Sequence, residues 1–190
     1  MNLSILIPSY NEPKIYKMYK EVEEEFPEAQ IVVCNDSCGF GKGWALRTAL
    51  EQATGDVICF IDGDYDIKPR MIKRLLPFLE DYDIVVGKKN VRGSFGRRIL
   101  TRLTRLYLHF VFGFNYDTQT GIKLFHRYAL LPWKTNSFIF DLEILKNARN
   151  KGLQIIEVPV EVTNYGSSSK PMKFRNVVKC LVESVKLINQ

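Results

Sequence analysis

Three aspartates, Asp62, Asp64 and Asp66, follow one another at intervals of two, directly after the apolar run Val57-Ile58-Cys59-Phe60-Ile61. Carboxylate oxygens suit a hard divalent ion, Mg²⁺ or Mn²⁺, bound by one or two protein ligands together with the phosphate oxygens of a substrate. Side chains alternate in extended chain, so the three acids are expected on one side of a sheet edge. Like charges that close raise one another's pKa, and a cation among them relieves the repulsion. Gly63 has no Cβ and leaves room for a ligand to approach the backbone. An isolated Asp-x-Asp is common in solvated turns; its place after a strand buried on both faces favours a site here.

Two further polar groups occur in equivalent places. Residues 3–7 form a short apolar strand that breaks at Pro8-Ser9-Tyr10-Asn11-Glu12, and Ile31-Val32-Val33-Cys34 ends at Asn35-Asp36-Ser37. Turn preference of Asn, Asp and Ser accounts for part of this pattern. Three successive strand ends bearing acids are better explained by a ligand, because parallel sheets bind ligands outside the carboxyl ends of their strands.

The elements that must position these groups alternate. A strand at 3–7, a polar helix from Pro13 to about Phe26, a strand at 31–34, a glycine-rich loop over Gly39-Phe40-Gly41-Lys42-Gly43, a helix over 44–53 and the strand at 57–61 follow in order. This is the α/β alternation of a parallel sheet flanked by helices. Pro69 opens a helix running through Leu79, and Asp83-Ile84-Val85-Val86-Gly87 forms a fourth strand. Asp117-Thr118-Gln119-Thr120-Gly121 leads into another strand, a helix starts at Phe140 and ends at Gly152, and Pro159 marks residues 155–162 as an edge or bulged strand.

At 190 residues, with 46% hydrophobic and 25% charged composition, the chain reads as one globular unit with a proper core. The first residues lack a basic segment and a long apolar run, and no stretch reaches about 18 consecutive apolar residues. The expected location is therefore cytoplasmic, soluble or peripheral to the cytoplasmic face of a membrane. Cys34, Cys38, Cys59 and Cys180 show neither a disulfide framework nor paired zinc spacing. The net charge of +6 points to an anionic partner. Part of it gathers in 97–114, where Arg98, Arg102, Arg105 and His109 share one helical face, and Ile99, Leu103, Leu106 and Phe110 another. Such a helix fits a membrane surface or a core-packing role. Nucleic acid is not expected, since the basic charge lies beside aliphatic stripes rather than interleaved aromatics.

The motifs together resemble family 2 glycosyltransferases of the GT-A fold, of the polyprenyl-phosphate (dolichyl-phosphate) glucosyl- and mannosyltransferase type. The resemblance rests on Ile7-Pro8-Ser9-Tyr10-Asn11-Glu12, Val33-Cys34-Asn35-Asp36-Ser37, Gly41-Lys42-Gly43, Asp62-Gly63-Asp64, Asp117-Thr118-Gln119-Thr120-Gly121-Ile122-Lys123, Phe140-Asp141-Leu142-Glu143 and Glu157-Val158-Pro159 with Ser169-Lys170. It implies a single domain built on a Rossmann-like, mostly parallel mixed sheet over 1–165, followed by an amphipathic helix over 166–190. It also implies that Pro8, Tyr10, Glu12, Asp36, Lys42, Asp62 and Gly63 hold a nucleotide sugar, UDP-glucose or GDP-mannose, and that Asp62, Asp64 and Asp66 hold the metal. Lys89, Arg97, Thr101 and Lys170 would meet the acceptor phosphate, with Asp62, Asp64 and Arg97 taking part in the chemical step. The Asp117 and Phe140 motifs tilt the donor toward UDP-glucose.

A phosphate monoester is largely ionised at pH 7 and attacks without a base, whereas a sugar hydroxyl needs a carboxylate, for which Asp141 or Glu143 would serve. A saccharide-elongating enzyme and a non-catalytic nucleotide-binding relative are the alternatives. Two departures from the family pattern are the short span between Asp36 and Lys42 and Asn164 in place of an arginine. Relatives often continue into transmembrane helices, so attachment to the membrane is expected from surface helices, an anchoring partner or a second copy.

Overall fold

The computed structural model describes residues 2–89, 106, 110, 113, 120–137, 139–163 and 184. Six strands form one sheet: β1 (Leu3–Ser9), β2 (Gln30–Asn35), β3 (Val57–Ile61), β4 (Ile84–Lys89), β5 (Ile122–His126) and β6 (Ile155–Val160). Their spatial order is β2-β1-β3-β5-β4-β6. β1 runs parallel to β2 and β3, and β4 runs parallel to β6. β5 lies antiparallel between β3 and β4. The expected mixed, mostly parallel sheet is therefore present, and Pro159 lies on an edge strand where its missing N–H is tolerated.

The helices are α1 (Ile15–Glu25), α2 (Lys42–Gln52), α3 (Met71–Leu75) and α4 (Phe140–Asn150). The helix expected from Pro69 to Leu79 is shorter, passing after α3 into a 3₁₀ segment over Leu76–Glu80 with Pro77 at its start. Proline lacks the amide needed to continue the α-helical ladder. Gly152 stops α4 at φ +74°, donating its amide to the Arg149 carbonyl.

Strand alternation divides the interior into two cores. Ile5, Ile7, Val57, Cys59 and Ile61 pack with Met18, Val22 and Ile72 on one face. Leu6, Ile58 and Phe60 pack with Leu46, Trp133, Phe140 and Leu145 on the other. Every residue of β3 is buried, as its continuous apolar run requires. Because β5 is reversed, the carboxyl ends of β1, β2, β3 and β4 meet the beginning of β5 at one edge of the sheet. Residues 97–105, the acceptor-side Arg97 and Thr101, the Asp117-Thr118-Gln119 motif, Lys170 and nearly all of the C-terminal helix lie outside the described residues.

Candidate active site

The three polar clusters converge as the strand order requires. The Asp36 amide donates to the Ser9 carbonyl at 2.8 Å, joining the ends of β2 and β1, and the Asp62 amide donates to the Gly121 carbonyl at 2.8 Å, joining the end of β3 to the start of β5. Gly63 sits beside Pro8: a Cβ on it would lie 3.2 Å from the Pro8 carbonyl oxygen. Pro8, Asp62 and Gly63 thus share one rim, with Tyr10 beyond Pro8 and 60% exposed. Glu12 is half-buried and accepts the Lys14 amide at 3.0 Å, fastening the loop that enters α1.

The acidic segment does not continue as a strand. The chain turns after Asp62, with Tyr65 at φ +60°, and the Asp66 amide donates to Asp64 Oδ1 at 3.0 Å. Asp66 is buried. Asp64 therefore closes an Asx-type turn, and the even spacing of three carboxylates along one extended edge does not form. Among the described residues no three His, Cys, Asp or Glu side chains gather as a metal-binding group. Asp62 and Asp64 lie half-buried at this rim, and Asp66 is buried behind the turn.

The turn is fixed from three sides. Thr163 donates its hydroxyl to the carbonyls of Tyr65 and Asp66, both at 3.0 Å. Tyr65 hydrogen-bonds Glu21 and lies under the Lys17 ammonium, 4.4 Å from the ring centre. Lys14 Nζ reaches the Asp64 carbonyl at 3.1 Å. Burial, and then the neighbouring Asp62, raise the Asp64 carboxyl above the usual carboxylate range, with Lys89 at the end of β4 acting in the opposite direction. Lys89 thus stands within electrostatic reach of Asp64.

Lys42, the first residue of α2, forms a 2.7 Å ion pair with Asp62 Oδ1. Burial opposes its charge, but Asp62 and then Asp141 outweigh burial and hold the ammonium above its ordinary range. Its loop depends on glycine. Gly41 has φ +113°, and a Cβ on Gly43 would fall 2.3 Å from the Thr135 carbonyl oxygen. The Gly43 amide donates to the Asn136 carbonyl at 2.8 Å, and the Trp133 indole donates to the Gly43 carbonyl at 3.0 Å.

Asp36, which the resemblance places in the nucleotide pocket, has a task within its own loop. It is buried, and its two oxygens accept the amides of Phe40 at 2.8 Å and Gly41 at 2.6 Å. With so short a span before Lys42, this carboxylate closes the loop itself. The neighbouring surface is aromatic: Tyr10 lies against Gly39, and Phe40 is 55% exposed and packs against Trp44 at 4.9 Å between centroids.

Asp141 and Glu143, in the first turn of α4, are both buried. Glu143 accepts the amides of Lys134 and Thr135, each at 2.9 Å. It holds the 134–136 loop against α2, each oxygen accepting one backbone amide. Glu143→Gln is expected to lower stability by about 1–3 kcal/mol, because an amide NH₂ would face a backbone donor; thermal unfolding measures this. Asp141 Oδ1 pairs with Lys123 Nζ at 2.8 Å. Lys123, the second residue of β5, also donates to the Thr120 carbonyl at 2.7 Å. Burial pushes Lys123 down and Asp141 up, while their contact works against both shifts. Lys123 and Lys14 are the groups to which sequence reasoning gives no role. A single lysine inside Ile122-Lys123-Leu124-Phe125 is the signal for the first.

Residues 17–142 match the model of glycosyl transferase family 2. The chain belongs to this family. Among curated relatives of this family 2 glycosyltransferase, a dolichyl-phosphate beta-glucosyltransferase of Trichomonas vaginalis is 28% identical over 85% of the chain and 53% of that protein. The corresponding Saccharomyces cerevisiae enzyme is 29% identical over 63% of the chain and 43% of its own length. The chain thus spans about half the length of these relatives. The crystal structure of glucosyl-3-phosphoglycerate synthase from Mycobacterium tuberculosis in complex with Mn²⁺, UDP-glucose and phosphoglyceric acid superposes with a TM-score of 0.77 at 17% identity, over 98% of this chain and 78% of that one. Mannosyl-3-phosphoglycerate synthase from Rubrobacter xylanophilus gives 0.74 at 18% identity, over 99% of this chain and 73% of that one. The fold is GT-A.

Proposed function

We propose that this family 2 glycosyltransferase moves glucose from UDP-glucose to a polyprenyl phosphate at a membrane surface, inverting the anomeric centre. The observation that supports it most is the rim where Asp62, Asp64, Lys42 and Lys89 meet at the carboxyl edge of the sheet. The curated relatives support the donor and acceptor classes, since the Trichomonas and yeast proteins are dolichyl-phosphate beta-glucosyltransferases.

A divalent cation fits the donor set. Asp62 and Asp64 offer hard oxygens, and the Asp64 carboxyl is raised first by burial and then by Asp62, both of which a bound cation offsets. These two aspartates would hold Mg²⁺ or Mn²⁺, which would supply Lewis-acid neutralisation of the charge on a departing diphosphate. The chain's own residues do the rest. Tyr10 and Phe40 offer exposed aromatic faces to the base. Lys42 stands ready to move from Asp62 to a phosphate oxygen. Lys89 orients the acceptor phosphate, whose oxygen forms the new bond to the anomeric carbon as the bond to the diphosphate oxygen breaks and its electron pair leaves with UDP. The required contribution is positioning rather than proton removal.

The state of the two carboxylates on α4 favours a phosphate over a hydroxyl acceptor. Glu143 is occupied by two amides and Asp141 by a buried lysine, so an acceptor that brings its own charge suits this site. Glu143→Gln should accordingly leave turnover within a few-fold of the parent. A membrane-surface acceptor is supported by Leu106 and Phe110, one helical turn apart in the basic segment and 52% and 76% exposed.

The testing experiment incubates the protein with UDP-glucose, Mn²⁺ and either a short-chain polyprenyl phosphate or a saccharide. Glucose is expected on the lipid phosphate, and chelation with EDTA should stop transfer. Transfer to the saccharide alone would replace this reading by the saccharide-elongating one, and binding of UDP without any product by the non-catalytic one. Gly121→Ala provides an internal check. The new Cβ would lie 2.2 Å from Asp62 Oδ2 and 3.0 Å from Asp62 Cβ, so Asp62 must move. A displacement of this order is expected to reduce kcat/KM roughly 100-fold, with the change in melting temperature much smaller in proportion.

A further inference from the structure

Lys123 has no place in the reaction just described, and nothing in its strand calls for a charge. Its neighbours Ile122, Leu124 and Phe125 are fully buried core residues, and its own side chain is 2% exposed. It pairs across the sheet with Phe60 of β3 and Val86 of β4, where an aliphatic residue would fill the space at no electrostatic cost. An ammonium survives there only because Asp141 Oδ1 and the Thr120 carbonyl both accept from it.

What this arrangement accomplishes lies one residue further out. Lys42 is within the field of three carboxylates, Asp62 and Asp64 at the rim and Asp141 in the interior. Its ammonium also lies 5.5 Å from the ring centre of Phe140, the residue next to Asp141. A buried carboxylate without a partner is a strong attractor for any cation in reach. With Lys123 neutralising Asp141, Lys42 is left to Asp62 at 2.7 Å. The two ion pairs are thus sorted: one is sealed beneath the sheet edge and the other is available at it.

We infer that Lys123 is a positioning residue: by occupying Asp141 and the Thr120 carbonyl it keeps Lys42 at the rim, where the diphosphate of a nucleotide sugar would be received. The inference rests on the nucleotide-sugar reading only for that last clause. The sorting of the two lysines is a property of the chain itself.

Lys123→Gln tests it, because glutamine retains donors for Asp141 and Thr120 while removing the charge. Two measurements are made, with circular dichroism confirming the fold. The first is the labelling rate of the Lys42 amine with an amine-reactive ester, read by mass spectrometry. It should fall at least fivefold as Lys42 is drawn inward. The second is a double-mutant cycle with Lys42→Gln on the KM for UDP-glucose. Each single variant should raise KM at least tenfold with kcat changed less than threefold, and the double variant should be no worse than either single one. Additive effects on KM, an unchanged labelling rate, or loss of the fold in Lys123→Gln would each overturn the inference, the last by reducing Lys123 to a stabilising role. If the parent neither binds nor consumes UDP-glucose but the labelling rate still falls, the functional reading fails and the positioning of Lys42 stands.

Discussion

Asp64→Ala abolishes transfer from UDP-glucose while the protein stays folded. Asp64 is one of two carboxylates at the rim, and loss of a group that stabilises developing charge costs about 10²–10³-fold in kcat; a lost metal position costs more. The fold should not suffer, since the Asp64 carboxylate lies at the edge of the sheet and, among the described residues, accepts only the Asp66 amide. A pH dependence accompanies the substitution. Burial and Asp62 raise the Asp64 carboxyl in the folded protein. The folded state therefore binds this proton more tightly than the unfolded chain. Its contribution to stability declines as pH rises from the unfolded value, near 3.9, through the higher folded one. Above that window the ionised group is a net burden, so Asp64→Ala should melt no lower than the parent at pH 7 without metal. Thermal scans at pH 4 and pH 7 check the sign. A parent that gains stability relative to the variant across this interval would contradict it.

Lys123→Met destabilises the protein by about 3–5 kcal/mol, the usual consequence of leaving a buried charge without its partner. For a chain of this length that lowers the melting temperature by roughly 6–20 °C. The cause is specific: Asp141 is buried, its Oδ1 is 2.8 Å from Lys123 Nζ, and methionine offers it nothing. The double variant Lys123→Met with Asp141→Leu should recover most of the loss, because apolar replacement of a whole buried pair is commonly neutral or better. A single variant melting within about 2 °C of the parent, by the same scale, would show that the pair is not buried as described. Calorimetry of the parent and both variants decides.

The strands at 3–7, 31–34 and 57–61 were legible because short runs rich in aliphatic and β-branched residues are bounded by turn residues, and their polar ends identified one edge of the sheet as the place for chemistry. Pro159 was likewise legible as an edge residue. The turn after Asp62 was not, because it depends on a left-handed backbone at Tyr65. That conformation is usually marked by glycine or asparagine; here Thr163, Glu21 and Lys17, all distant in sequence, hold it. The role of Asp36 was hidden similarly. Its residue type suggested ligand binding, and only the close approach of the Phe40 and Gly41 amides reveals a loop-closing carboxylate. Glu143 read as a candidate base because its partners, the amides of Lys134 and Thr135, are groups that every residue possesses and no sequence pattern announces. Pairing of Lys123 with Asp141 depends on the antiparallel insertion of β5. Nothing in the five residues of β5 distinguishes that orientation from its opposite.

The most direct test of the central claim, that two aspartates at the sheet's edge bind a nucleoside diphosphate through a divalent cation, is calorimetric titration of UDP with and without Mn²⁺. The parent is expected to bind UDP with Mn²⁺ at least tenfold more tightly than without it, and this dependence should vanish in a variant carrying Asp62→Ala and Asp64→Ala. Equal affinity in the presence and absence of Mn²⁺, or an undiminished Mn²⁺ effect in the double variant, would contradict the account.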